Sequence, residues 1–331
     1  MNERIQDKHN FTEGPILSKL IAFSGPVLLA LLLQATYGAV DLLVVGQFAS
    51  SADVSAVATG SNIMMTLTGP LSSFAMGITV ILGRQIGSGR GKEGGKTVGA
   101  GICLFALLGT VLTILLAVFS GGIAAMMHAP AEAFSQTSAY VRICGLGILV
   151  IVGYNLIGSI FRGIGDSRTP LVAVAIACGC NIFGDLFLVA VCHLGAAGAA
   201  LATVFSQGIS VLISLLVLRR RTLPFSFSRK DVRIEPAIMA RITRFGAPIA
   251  LQDLLVGLSF LVLLAIVNTL GLIASAGVGV AEKVCAFIML IPSAFMQAMS
   301  AYVAQNHGAG KSDRAIQGLK IAILLSTPLG R

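Results

Sequence analysis

The sequence predicts an all-α fold: a polytopic transmembrane helical bundle of two parallel-repeat six-helix lobes, with the second lobe incomplete within these 331 residues. Three observations predict it. Hydrophobic residues make up 56% and charged residues 11% of the chain, with a mean hydropathy of +0.90, whereas a soluble chain is about a quarter charged. Apolar runs of the roughly 20 residues needed to cross a bilayer follow one another along the chain. The chain also repeats itself. Pro26 in Ser24-Gly-Pro-Val-Leu-Leu29 matches Pro248 in Gly246-Ala-Pro-Ile-Ala-Leu251, and Pro70 matches Pro292, both 222 residues apart (248 − 26 and 292 − 70). The loop Ile86-Gly-Ser-Gly-Arg90 recurs as His307-Gly-Ala-Gly-Lys311.

Spans are expected near 16–49, 55–83, 97–127, 133–160, 169–192, 195–218, 240–270 and 273–304, with a ninth starting near 313. Several exceed the minimum length, so tilted or bent helices are expected. Pro26, Pro70, Pro248 and Pro292 remove helical hydrogen bonds and should kink their spans. The first run is too long for a signal-peptide core and is read as a retained span. Arg84, Arg90, Lys92 and Lys96 flank the second connection, Arg162 and Arg168 the fourth, Arg219 to Arg221 the sixth, and Lys311 and Arg314 the eighth. By the positive-inside rule the N-terminus and the even connections are cytoplasmic, in a multi-pass protein of the inner (plasma) membrane. The net charge of +9 therefore lies in short loops, which excludes a nucleic-acid partner.

Six spans separate the two copies, so both halves start on the same side, as in transporters with parallel repeats. The predicted domains are an N-lobe over 1–218, a basic cytoplasmic linker over 219–239 and a partial C-lobe over 240–331. A matching second half would need six spans, so the chain is read as C-terminally truncated. The six cysteines lie in or beside apolar segments and are read as core residues without disulfides. His9, His128, His193 and His307 are scattered, which argues against an integral membrane enzyme.

Two acids stand out against this background. Asp41 and Asp185 sit deep in apolar runs, where an ionised carboxylate costs roughly 2.5–3.5 kcal/mol on insertion scales and usually marks an ion or substrate path. Asp41 is nine residues before Ser50, Asp185 eight before His193, and Thr203 eight after Gly195. At 1.5 Å per residue the three share a depth of roughly 12–14 Å below the outer helix ends. Asn181 lies one turn before Asp185 on the same helix face. These oxygens suit a proton or a hard cation such as sodium, so a Na+ site at Asp41, Asn181, Asp185 and Thr203 is possible. Two such carboxylates cannot both stay ionised without a cation, and the pair should titrate jointly. Tyr37 and Gln34 line the same stripe as Asp41, and Tyr140 is within reach of the same cavity. Asn155 lies deeper. In the second half, the repeat partner of Asp41 is Leu263, and Glu282 is a candidate polar contact.

At these residues the chain resembles the multidrug and toxic compound extrusion (MATE) family. The resemblance is carried by Asp41, Gly163-Ile-Gly-Asp-Ser-Arg-Thr-Pro170, Asn181-Ile-Phe-Gly-Asp185, Gly195-Ala-Ala-Gly-Ala-Ala-Leu-Ala-Thr203 and Gln305-Asn-His-Gly-Ala-Gly310. The acids with Asn181 look most like its DinF-like branch. The resemblance implies twelve spans in two lobes around a V-shaped cavity, and antiport in which inward proton or sodium movement drives drug export. It carries Asp41, Asn181, Asp185 and Thr203 onto the N-lobe cation site, and Tyr37, Tyr140 and Asn155 onto the polar lining of that lobe. The expected function is a monomeric, cation-coupled exporter of amphipathic, often cationic compounds, with membrane lipid around it and no cofactor beyond the ion. The alternative is a lipid-linked oligosaccharide flippase of related architecture.

Overall fold

The computed structural model describes residues 10–127, 129–221, 223–268, 281 and 284–326. Among the described residues there is no strand. The reason is general: in a bilayer the backbone must satisfy its own hydrogen bonds, and a helix does so within one segment. The helices are α1 (Ile16–Phe48), α2 (Ser51–Gly87), α3 (Gly94–Met126), α4 (Phe134–Leu146), α5 (Ile148–Ile164), α6 (Arg168–Asp185), α7 (Gly195–Arg220), α8 (Pro236–Asn268), α9 (Leu290–Gly308) and α10 (Ser312–Ser326). A π-helical segment, Leu186–Val191, continues α6. Six described helices are long and apolar enough to cross a membrane, and α4 with α5 forms a seventh if counted as one span.

The sharpest bend is in a span without an internal proline. α4 and α5 meet at 52°. The cause is Gly145-Leu146-Gly147: a Cβ at Gly145 would come within 2.5 Å of Leu116 Cβ on α3, and one at Gly147 within 2.4 Å of Val204 on α7. Paired glycines let the bent helix press against both neighbours. None of the prolines ends its helix. α1, α2 and α8 run without interruption through Pro26, Pro70 and Pro248. Pro292 lies in the first turn of α9, where a missing N–H costs little.

α2, at 37 residues the longest helix, runs through the centre and packs against α4, α5, α8 and α9, while α1 packs against α6 and α9. Glycines bring the backbones of α2, α8 and α9 close together at three points. A Cβ at Gly77 would lie 2.4 Å from the Ile242 carbonyl, at Gly246 2.2 Å from that of Phe74, and at Gly308 2.2 Å from that of Arg84. Gln305 and Asn306, both fully buried, tie this end together: Gln305 Nε2 donates to the Gly163 carbonyl, and Asn306 Nδ2 donates to the Phe11 carbonyl. Toward the opposite end Leu251, Leu254, Leu255, Leu258 and Phe260 of α8 are exposed. The segment after α7 is docked rather than loose. Phe225 is buried against Gly94, and Arg221 forms an ion pair with the buried Asp166.

Candidate functional site

Three helices build the acidic cluster. α1 supplies Asp41, α6 supplies Asn181 and Asp185, and α7 supplies Thr203. The structure brings all four together: Asp41 has Asp185, Asn181 and Thr203 as side-chain neighbours. Thr203 Oγ1 lies 3.5 Å from Asp41 Oδ2, at the outer limit of a hydrogen bond. Asp41 is 5% exposed, and Asp185 and Asn181 are 0% exposed.

Local structure explains the convergence. Ser50 and Asp53 form a reciprocal capping box at the start of α2, with the Ser50 hydroxyl 2.6 Å from Asp53 Oδ2. The other Asp53 oxygen accepts the Ala196 N–H at 3.0 Å, so one carboxylate caps two helix N-termini and anchors α7. Gly195 has φ +52°, and a Cβ there would meet Asp53 Oδ1 at 2.4 Å. Thr203 then falls two turns down α7. Asp185 is the last α-helical residue before the π segment, a geometry frequent at functional sites.

The cluster is under-bonded. Asp41 Oδ1, both oxygens of Asp185 and both side-chain amide atoms of Asn181 are buried without a hydrogen bond. Buried carboxylates and amides of this kind need a proton, a cation or a water to satisfy them. Two carboxylates, an amide and a hydroxyl can share a proton or hold a hard monovalent cation. Among the described residues no three His, Cys, Asp or Glu side chains converge as a metal cluster.

The remaining candidates separate into two places. Tyr37 is beside Asp41 and Gln207. Tyr140 is 3% exposed, packs on Gly60 and has its hydroxyl 3.4 Å from Ser61 Oγ. Gln34 and Asn155 line a second cavity together, and Asp41 is not among its lining residues. Gln34 turns its amide to the Tyr154 hydroxyl, and Asn155 Nδ2 donates to the Ile151 carbonyl at 3.0 Å. Glu282 lies outside the described residues. Sequence reasoning missed Gln207, although it is one turn after Thr203, and Asp53, whose position beside Ser50 is a capping-box signal. It also took Arg162 for a loop charge. The structure places it on α5, lining the second cavity.

The MatE family matches the chain over residues 26–187 and 248–330. The chain belongs to this family. Asp41, Asn181 and Asp185 fall within the matched MatE segments, and Thr203 lies between them. Its relatives include the probable multidrug resistance protein YpnP of Bacillus subtilis, 29% identical over 311 residues, covering 92% of this chain and 68% of YpnP. Another is the multidrug export protein MepA of Staphylococcus haemolyticus, 25% identical, covering 95% of this chain and 69% of MepA. Solved structures share the fold at 22% identity. A MOP superfamily transporter from Pyrococcus furiosus superposes with a TM-score of 0.89 over 96% of this chain and 71% of that one. MATE in the bent conformation gives 0.89 over 97% of this chain and 72% of that one. This MatE chain is thus a multi-pass membrane protein of a multidrug efflux transporter family.

Proposed function

We propose that the protein is a cation-coupled antiporter that exports amphipathic, often cationic organic compounds by alternating access. The observation that carries this reading is the under-bonded pair Asp41 and Asp185, with Asn181 and Thr203, on helices long enough to span the membrane. Loading the pair with a proton or sodium ion removes the repulsion between the carboxylates, and releasing it restores it. Because the acids join α1 to α6, and Thr203 joins α7, the ion state biases how these helices pack. α1 also packs on α9, which gives the cluster a route to the interface between the halves.

The basic loops support a cytoplasmic N-terminus in the plasma membrane. The 222-residue repeat supports an N-lobe over 1–218, a linker over 219–239 and C-lobe helices from 240 onward. The acids with Asn181 support the DinF-like branch, and transport is assigned to the monomer. The flippase reading is weaker, because the membrane spans hold few Arg or Lys residues with which to line a central cavity.

The test is efflux of a fluorescent amphipathic cation from reconstituted vesicles, with a proton gradient and a sodium gradient imposed separately. Transport that follows one of the two gradients is expected and names the ion. Dye movement indifferent to both overturns the coupling.

A further inference from the structure

The second cavity carries a charge that cation coupling does not use. It has a volume of about 90 Å³ and lies among α1, α5, α6 and α7, with Ser72 of α2 and Gln297 of α9 also at its wall, and is lined by Gln34, Tyr154, Asn155, Arg162, Ser210 and Ser214 among others. That is room for on the order of six waters, or for one carboxylate or phosphate group and the atoms that carry it.

Arg162 is in the last turn of α5, where an arginine ordinarily extends to loop water. Here it folds back along its own helix. Nη2 donates to Ser159 Oγ at 2.8 Å, and a Cβ built at Gly158 would sit 3.3 Å from Nη1. Gly158 thus leaves the space in which the guanidinium lies. Nε is buried without a hydrogen bond. Among the described residues Arg162 makes no ion pair, and no carboxylate lines the cavity. Ser210, 1% exposed, lines the same cavity, and its buried hydroxyl has no hydrogen bond. A guanidinium stays charged under all physiological conditions, and its planar fork of N–H donors matches an oxyanion. The serine and amide side chains beside it are uncharged, so Arg162 sets the sign of the cavity's charge.

We propose that this cavity is a binding site for a single oxyanion group, a carboxylate or phosphate, held by Arg162 and Ser210. The group belongs either to a free anion or to the headgroup of an anionic lipid. The site stands independently of cation coupling, because its occupancy is read without any gradient.

The test uses the full chain purified in neutral detergent. Thermal unfolding, followed through the buried thiols Cys144 and Cys178, is titrated with sodium phosphate and with sodium acetate against sodium chloride at equal ionic strength. Parallel samples sit in nanodiscs of phosphatidylcholine, with and without phosphatidylglycerol. A saturable stabilisation is expected in at least one arm. Arg162→Gln should raise the half-saturating concentration at least about tenfold, the loss of a charge-assisted hydrogen bond. Ser210→Ala should raise it by roughly threefold or more, and carries the test if Arg162→Gln does not fold. A response to phosphate or acetate assigns a free anion, and a response confined to phosphatidylglycerol assigns a lipid headgroup. No saturable response in any arm, or unchanged half-saturation in the variants, overturns the site.

Discussion

The acidic cluster and the Arg162 cavity share three helices, α1, α6 and α7, and carry opposite charge. α1 gives Asp41 to one and Gln34 to the other, seven residues apart. α7 gives Thr203 to one and Ser210 to the other, and α6 gives Asn181 to one and Val174 to the other, again seven apart. Seven residues are about two turns, or roughly 10 Å, and return to nearly the same face. One stripe of helix surface therefore serves both clusters, and the chemistry of each sets its use. Carboxylates can be neutralised by a proton or matched by a cation, so the acidic cluster can be switched. A guanidinium cannot lose its proton in this range, so the other cavity keeps a fixed charge.

The largest effect separates the two. Asp41→Asn and Asp185→Asn keep the shape and remove the switchable charge. Each should reduce gradient-driven efflux to the level of protein-free vesicles while leaving membrane insertion intact. Anion stabilisation at the Arg162 cavity should persist in both. Efflux that survives in both variants would refute the role of the acids.

A second experiment moves the acidic cluster without touching it. Gly195→Ala places a Cβ 2.4 Å from Asp53 Oδ1 at a residue of φ +52°. The backbone strain alone costs about 1–2 kcal/mol, and the clash adds to it. The variant should unfold at a lower temperature and bind its ion more weakly, since α7 carries Thr203 past Asp41. Asp53→Asn should do the same more mildly, because the amide oxygen still accepts one helix N–H. An unchanged unfolding temperature for Gly195→Ala would show that α7 is not anchored through Asp53.

The contrast also marks what a linear sequence can convey. The spans of the first half, the meeting of Asp41, Asp185 and Thr203, and the Asn181 to Asp185 spacing were legible, because helical rise and period turn residue counts into height and face. The bend at Gly145-Leu146-Gly147 was not, since two glycines signal a bend only when Leu116 and Val204 are known to press on them. The π segment after Asp185 has no sequence signature at all. Arg162 misled for a related reason. Position near a helix end predicts an outward reach, and only the free space over Gly158 shows that its side chain turns inward.

The smallest predicted effect tests that last point directly. Gly158→Ala brings a Cβ to 3.3 Å from Arg162 Nη1, tight but against the far end of a flexible side chain. The guanidinium can give way by a few tenths of an ångström, so little destabilisation is expected. Replacing a helical glycine by alanine favours the helix by about 1 kcal/mol, which offsets the crowding. Thermal stability without ligand should thus change by less than about 1 kcal/mol in either direction. Anion half-saturation should rise by roughly two- to threefold, since a displaced charge-assisted bond loses only part of its strength. Ion-dependent efflux should keep the same response to proton and sodium gradients, because Gly158 faces the Arg162 cavity and not the carboxylates. A change in ion response with anion binding intact would mean that the two clusters are coupled through α5, and that their separation along the shared stripe is structural only.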